Sequence, residues 1–202
     1  MTSEEKEDRK LLFHPYNVYL TLLLFSLTML FLAFSAAYVY TRFNGDIPPI
    51  KLPWLFFVNT GVLLGTSWAM VRAKKAYRED DTEGYKTMLF LTIVISILFL
   101  LLQFIAWNQL FTQNVFLQSS NLAAYVYVVS ALHFLHVVAG LPFLIVFYRI
   151  AKKRMKEPVS VLVYFSDPYK RLKLRLLTVY WHFLDGLWIY LVLFFWINYL
   201  FS

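Results

Sequence analysis

The chain has 202 residues, 60% of them hydrophobic and 20% aromatic, more apolar surface than a water-soluble domain of that size can hide. Composition therefore predicts an all-α, polytopic integral membrane protein. Cysteine is absent, which excludes disulfides, thiolate nucleophiles, CxxC sites and CxxCH haem attachment; the net charge of +7 lies between apolar blocks, which fits membrane topology and argues against a nucleic-acid partner.

Residues 1–14 read as a polar cytoplasmic tail that opens MTSEEKEDRK, and residues 15–200 as one five-helix membrane domain. The apolar stretch after the tail is too long for a signal h-region, so no cleavable signal is expected. Proline is tolerated in a first helical turn, and helix 1 is predicted over 15–41, starting at Pro15. Tyr16 and Tyr19 at one end, and Tyr38 and Tyr40 at the other, fit aromatic belts; Ser35, Ala36 and Ala37 offer a close-packing face. A short loop with Asn44-Gly45-Asp46 and Pro48-Pro49 leads to helix 2 over 54–73. There Gly61, Gly65, Ala69 and Ala73 recur every four residues, a stripe suited to close approach by a neighbouring helix.

A charged loop is predicted over 74–86 and helix 3 over 87–111. Gln103 is the deepest polar residue of that helix and is expected to hydrogen-bond another helix or lipid. The loop 112–121 carries no charge. Helix 4 is predicted over 122–147 with His133 and His136 near its middle, and Pro142 predicts a mild kink near Val138. The basic loop 149–175 precedes helix 5, predicted over 176–199.

Five spans place the tail, the 2–3 loop and the 4–5 loop on one side. They hold three, five (with Arg72 at the adjoining end of helix 2) and nine Lys and Arg residues, 17 of the 19 in the chain; Arg42 and Lys51 alone fall on the other side. The bias predicts the N-terminus inside and the C-terminus outside.

Asp185 is the one acidic side chain in any predicted span. A charge in hydrocarbon costs at least about 2.5 kcal/mol, so a partner or a purpose is expected. His182 lies three residues earlier on the same face, with Trp181 and Trp188 on either side; His133 and His136 share a face of helix 4. Gly140 and Gly186 leave room beside the histidines. Three readings follow. Paired histidines can chelate a metal or haem, but four histidines and one buried acid are few for that chemistry. A proton relay or small transporter would use His and Asp, but one acid makes a thin pathway. The reading that composition favours is structural: Asp185 accepts hydrogen bonds and fixes helix packing. Walker, Rossmann, HExxH and G-x-S-x-G motifs are absent.

At Tyr180-Trp181-His182-Phe183-Leu184-Asp185, followed by Trp188, the chain resembles subunit III of haem-copper respiratory oxidases in its short, five-helix bacterial form. His133, His136, Val137 and Gly140 match a second family helix, Asn59-Thr60 a third segment and Gln103 a fourth. Leu27 and Ala106 stand where many members carry glutamate, and Phe134 replaces a usual glycine. The resemblance implies a non-catalytic subunit of a proton-pumping cytochrome c oxidase in the bacterial inner membrane. It implies no haem or copper in this chain. Haem and copper would sit in subunit I, where oxygen is reduced to water, with copper also in subunit II. Subunits I, II and IV, phospholipid and a respiratory supercomplex are the implied partners. A subunit III-like protein associated with nitric oxide reductase is the nearest alternative, and a small transporter a more distant one.

Overall fold

A computed structural model describes residues 15–45, 47–155, 161 and 164–201; the expected polar tail lies outside them. Among the described residues five helices follow one another: α1 (Pro15–Gly45), α2 (Trp54–Arg78), α3 (Thr82–Thr112), α4 (Asn121–Arg154) and α5 (Pro168–Leu200), with no strand. All five are long and apolar enough to cross a membrane.

The helices outrun the apolar blocks. α2 continues to Arg78 and α3 begins at Thr82, so the charged 74–86 segment is mostly helix around a three-residue turn. The 149–175 segment is likewise helical to Arg154 and again from Pro168. The reason is capping. Asp81, Ser120 and Asp167 accept backbone N–H bonds at the starts of α3, α4 and α5, and a cap, not hydropathy, sets where a helix begins. Asp80 (φ 55°) and Asn114 (φ 59°) take the left-handed conformation just past α2 and α3, which Asp and Asn tolerate better than most residues. α4 runs unbroken through Pro142.

α2 packs most extensively on α3 and α5, α3 on α4, and α1 leans on α4 and α5 from outside. α1 buries one seam, Leu27, Phe31, Ser35 and Tyr38, at the helical repeat, while Ala36 faces outward. Its two ends are pinned to α5: Arg175 Nη2 donates to Asn17 Oδ1 at 3.1 Å, and Arg42 donates to Asn198 Oδ1 at 3.1 Å and to the Phe201 carbonyl at 2.8 Å. Start meets start and end meets end, so α1 and α5 run parallel, as the first and fifth of five spans must.

The buried interior has two parts. One is built on Trp188, Phe56, Phe99 and the α1 seam; the other on Tyr77, Tyr85, Leu144 and Trp181, nearer the basic helix ends. Most of the outer surface is apolar, as contact with lipid requires.

Candidate functional site

The signature helix α5 places Trp181, Leu184, Asp185, Leu187, Trp188, Leu191 and Val192 on its buried side by helical repeat. Asp185 is 3% exposed. It does not pair with His182. Its carboxyl oxygens lie 3.1 and 3.2 Å from Thr66 Oγ1 on α2, with the Ser67 hydroxyl beside them. His182 is half-buried, and its Nδ1 meets Ser67 Oγ at 2.5 Å. Asp185 and His182 therefore make two separate pairs across the α2–α5 contact. The acid and histidine share a face, but each reaches sideways to the next helix.

Trp181 packs against Gly140: a Cβ there would come within 2.7 Å of the Trp181 ring and 3.0 Å of Tyr180. This is the one glycine of α4, and it lets α5 approach at its bulkiest point. Tyr180 also donates its hydroxyl to the His136 carbonyl at 3.0 Å.

The two histidines of α4 separate. His133 is fully buried, with its ring 4.9 Å from Trp188 and edge-on to Phe99 at 5.8 Å. His136 is half-buried; its Nδ1 meets the Leu132 carbonyl at 2.6 Å and its ring lies edge-on to Phe31 of α1. Three residues on a helix are about 60° short of a full turn, enough to send one ring inward and the other to α1. Among the described residues no three of His, Asp and Glu gather into a metal-binding group.

Gln103 is fully buried and accepts a hydrogen bond from Asn59 Nδ2 at 2.9 Å, joining α3 to α2. The stripe on α2 is only partly a packing face within this chain. Ala69 and Ala73 are fully buried and Gly65 faces Ile95, but Gly61 has open space where a side chain would stand. Gly186 is equally open and gives no packing contact beside His182. A run of small residues permits close approach; it does not say which of them a neighbour takes up.

Thr66 and Ser67 were not singled out from the sequence. Their signal was available: two adjacent hydroxyls within the apolar run of α2, between Gly65 and Ala69.

This arrangement chiefly holds helices in register. Its polar side chains join α2 to α3 and α2 to α5, with their hydrogen-bonding groups turned into the bundle. The cytochrome c oxidase subunit III family model matches residues 11–199. A probable cytochrome c oxidase subunit 3 of Rickettsia prowazekii is 30% identical over 149 residues, 72% of this chain and 48% of the relative. Cytochrome c oxidase subunit 3 of Synechocystis is 28% identical over 165 residues, 78% of this chain and 64% of the relative. That of Corynebacterium diphtheriae is 25% identical over 170 residues, 80% and 77%. The chain thus spans about half the length of the Rickettsia protein it matches. With five apolar helices and a match along nearly its whole length, the chain is a multi-pass membrane protein and belongs to the cytochrome c oxidase subunit III family.

Proposed function

We propose that the chain serves as the non-catalytic subunit III of a bacterial haem-copper terminal oxidase, in which it stabilises subunit I and holds phospholipid. The observation that carries this reading is the family match over residues 11–199 joined to a signature helix whose buried polar groups are spent on packing. Asp185 and His182 are each engaged by a hydroxyl of α2, so they serve the bundle's register. Reduction of oxygen to water and the coupled proton pumping belong to subunit I with its haem and copper, and electrons enter through subunit II with its copper. Subunit IV and a respiratory supercomplex complete the proposed setting in the bacterial inner membrane. The excess of Lys and Arg at the starts of α1, α3 and α5 supports an inside N-terminus and an outside C-terminus.

Two surface features support partner and lipid contact. Gly61 and Gly186 leave openings on α2 and α5, the two helices joined by Asp185 and His182. At the basic end, Arg78 and Arg171 line a cleft of about 340 Å³ with Tyr77, Asp80 and Phe165, where an anionic head group would meet two guanidinium groups.

The test is gentle purification of the tagged full chain from its native membrane, with subunit identification and a haem spectrum. Copurification with a haem-copper subunit I and intact haem bands is the expected result. Recovery only with a nitric oxide reductase, or transport by the chain alone in liposomes, overturns the reading.

A further inference from the structure

Asn59, Gln103, His133 and Trp188 come from α2, α3, α4 and α5 and meet at one level of the bundle. Asn59 Nδ2 donates to Gln103 Oε1 at 2.9 Å. Phe56, one turn before Asn59, stacks on Trp188 at 5.6 Å between ring centres. Phe99, one turn before Gln103, lies edge-on to both His133 (5.8 Å) and Trp188 (5.2 Å). The His133 and Trp188 rings are 4.9 Å apart. On the α3–α4 side, Trp107 Nε1 donates to Ser130 Oγ at 3.0 Å and Phe104 meets Phe134 at 5.1 Å, which sets Gln103 and His133 at the same depth.

All four side chains are shut away from the surface: Asn59, Gln103 and His133 are 0% exposed and Trp188 1%. Yet Asn59 Oδ1, Gln103 Nε2, Trp188 Nε1 and both ring nitrogens of His133 have no hydrogen-bond partner among the described residues. The bundle's other buried polar groups mostly find one. Ser96 donates to the Thr92 carbonyl, Ser130 to the Val126 carbonyl, and Thr66 meets Asp185. Buried polar groups left unmatched are rare in folded proteins, and five from four helices in one place point to a ligand that they share.

The chemistry of the set defines that ligand. Gln103 Nε2 and Trp188 Nε1 donate. Asn59 Oδ1 accepts, and so does the unprotonated nitrogen of a neutral imidazole. The protonated nitrogen of that imidazole is a third donor, and since one water accepts two hydrogen bonds and donates two, it takes up four of the five atoms and a second water serves the fifth. A cation finds no carboxylate here, because Asp185 is one turn away and engaged by Thr66. An anion meets the lone pairs of Asn59 and His133. We propose that Asn59, Gln103, His133 and Trp188 enclose a buried hydration site that holds ordered water at the junction of α2, α3, α4 and α5. The water supplies the bonds these side chains do not make to one another and ties four helices through one centre. Its position also sets which nitrogen of His133 carries the proton.

The test uses the full chain purified with its native partners in lipid nanodiscs, imaged at a resolution that shows ordered water. The expected result is density between the four helices within about 2.7–3.2 Å of at least three of these polar atoms. Gln103 Nε2 or Trp188 Nε1 seated directly on a His133 nitrogen, with no density between them, overturns the proposal. A second arm exchanges the same sample into H₂¹⁸O and follows the O–H stretch of internal water by infrared difference spectroscopy. That heavy oxygen shifts water bands and leaves side-chain N–H bands in place. A shifted band is expected in the parent protein, with loss or displacement in Trp188→Phe, which keeps a ring against Phe56 and Phe99 while deleting the donor. If Trp188→Phe does not assemble, the parent protein decides alone: no isotope-shifted band overturns the site.

Discussion

Thr66 Oγ1 lies 3.1 and 3.2 Å from the two carboxyl oxygens of Asp185 and 2.7 Å from the Leu63 carbonyl of its own helix. One residue on, Ser67 meets His182. Consecutive hydroxyls of α2 thus serve two residues three apart on α5, and a slide of one helix past the other breaks both contacts together. The pair of contacts fixes register as well as adhesion.

That relationship predicts an ordered series at position 66. Thr66→Val removes the hydroxyl from a buried carboxyl and should cost about 1–3 kcal/mol, read as a lower unfolding temperature in detergent. Thr66→Ser should recover most of the loss. Asp185→Asn should cost about 1 kcal/mol or less, because an amide N–H donates to Thr66 Oγ1 while Thr66 donates to Leu63. Equal stability of Thr66→Val and the parent chain would remove Thr66 from this role.

The glycines separate just as sharply. A Cβ at Gly140 would come 2.7 Å from the ring of Trp181, a side chain only 1% exposed and unable to swing aside. Gly140→Ala should therefore cost about 1–3 kcal/mol through overpacking. Gly61→Ala and Gly186→Ala meet nothing within 4 Å and should leave the isolated chain within about 0.5 kcal/mol of the parent. Bulkier Gly61→Leu and Gly186→Leu test the proposed partner surface: they should spare the chain's own unfolding temperature and lower its recovery with the other subunits. Denaturation curves and quantitative copurification read the two effects separately.

The five spans were legible because each is a long apolar run. Their ends were not, since hydropathy stops at the last apolar residue whereas Asp81 and Asp167 carry the backbone further. That Asp185 needs a partner was equally visible, as an acid within hydrocarbon-like sequence. Its partner was hidden. Spacing along one helix sets His182 on the same face but does not name a partner on another helix, and the carboxyl reaches across to Thr66, a contact between residues 119 apart. The same limit applied to His133 and His136: sequence spacing gives the angle between them, and only the placement of α1, α3 and α5 shows which ring meets which neighbour.

Asp167 gives a prediction in pH. It caps α5, accepting from the Tyr169 amide at 2.9 Å and the Lys170 amide at 3.4 Å, while Lys170 Nζ lies 3.1 Å from its other oxygen. Partial burial works against the charged form. The hydrogen bonds from the Lys170 side chain and the two amides, with the Lys170 charge, outweigh it and hold the carboxyl below the ordinary aspartate range. A folded carboxyl that resists protonation lends stability in full above the unfolded value, about 4, and loses it as pH falls through the lower folded value. Amide exchange at Tyr169–Arg171 should therefore accelerate on acidification through that window, beyond the intrinsic trend. Asp167→Asn should keep the cap and flatten the response; Asp167→Ala should cost about 1 kcal/mol at neutral pH. The same acid response in Asp167→Asn would assign the effect to another group.

The cleft at the basic end makes the lipid reading quantitative. Arg78 and Arg171 line it from α2 and α5, and no ion pair engages either guanidinium among the described residues. Each basic residue near an anionic leaflet is worth about 1 kcal/mol, so Arg78→Gln and Arg171→Gln should each weaken retention of anionic phospholipid about fivefold. The double variant should retain less than either. Arg42→Gln is the control, because Arg42 already donates to Asn198 and the Phe201 carbonyl at the other end of the bundle. It should loosen the α1–α5 contact without changing the lipid that travels with the basic end. Lipid mass spectrometry on the purified complex, at equal detergent and wash volume, compares the four variants with the parent. Unchanged anionic lipid in the double variant would show that the head groups are held elsewhere. A matching loss in Arg42→Gln would mean that retention follows the general tightness of the bundle instead of this cleft.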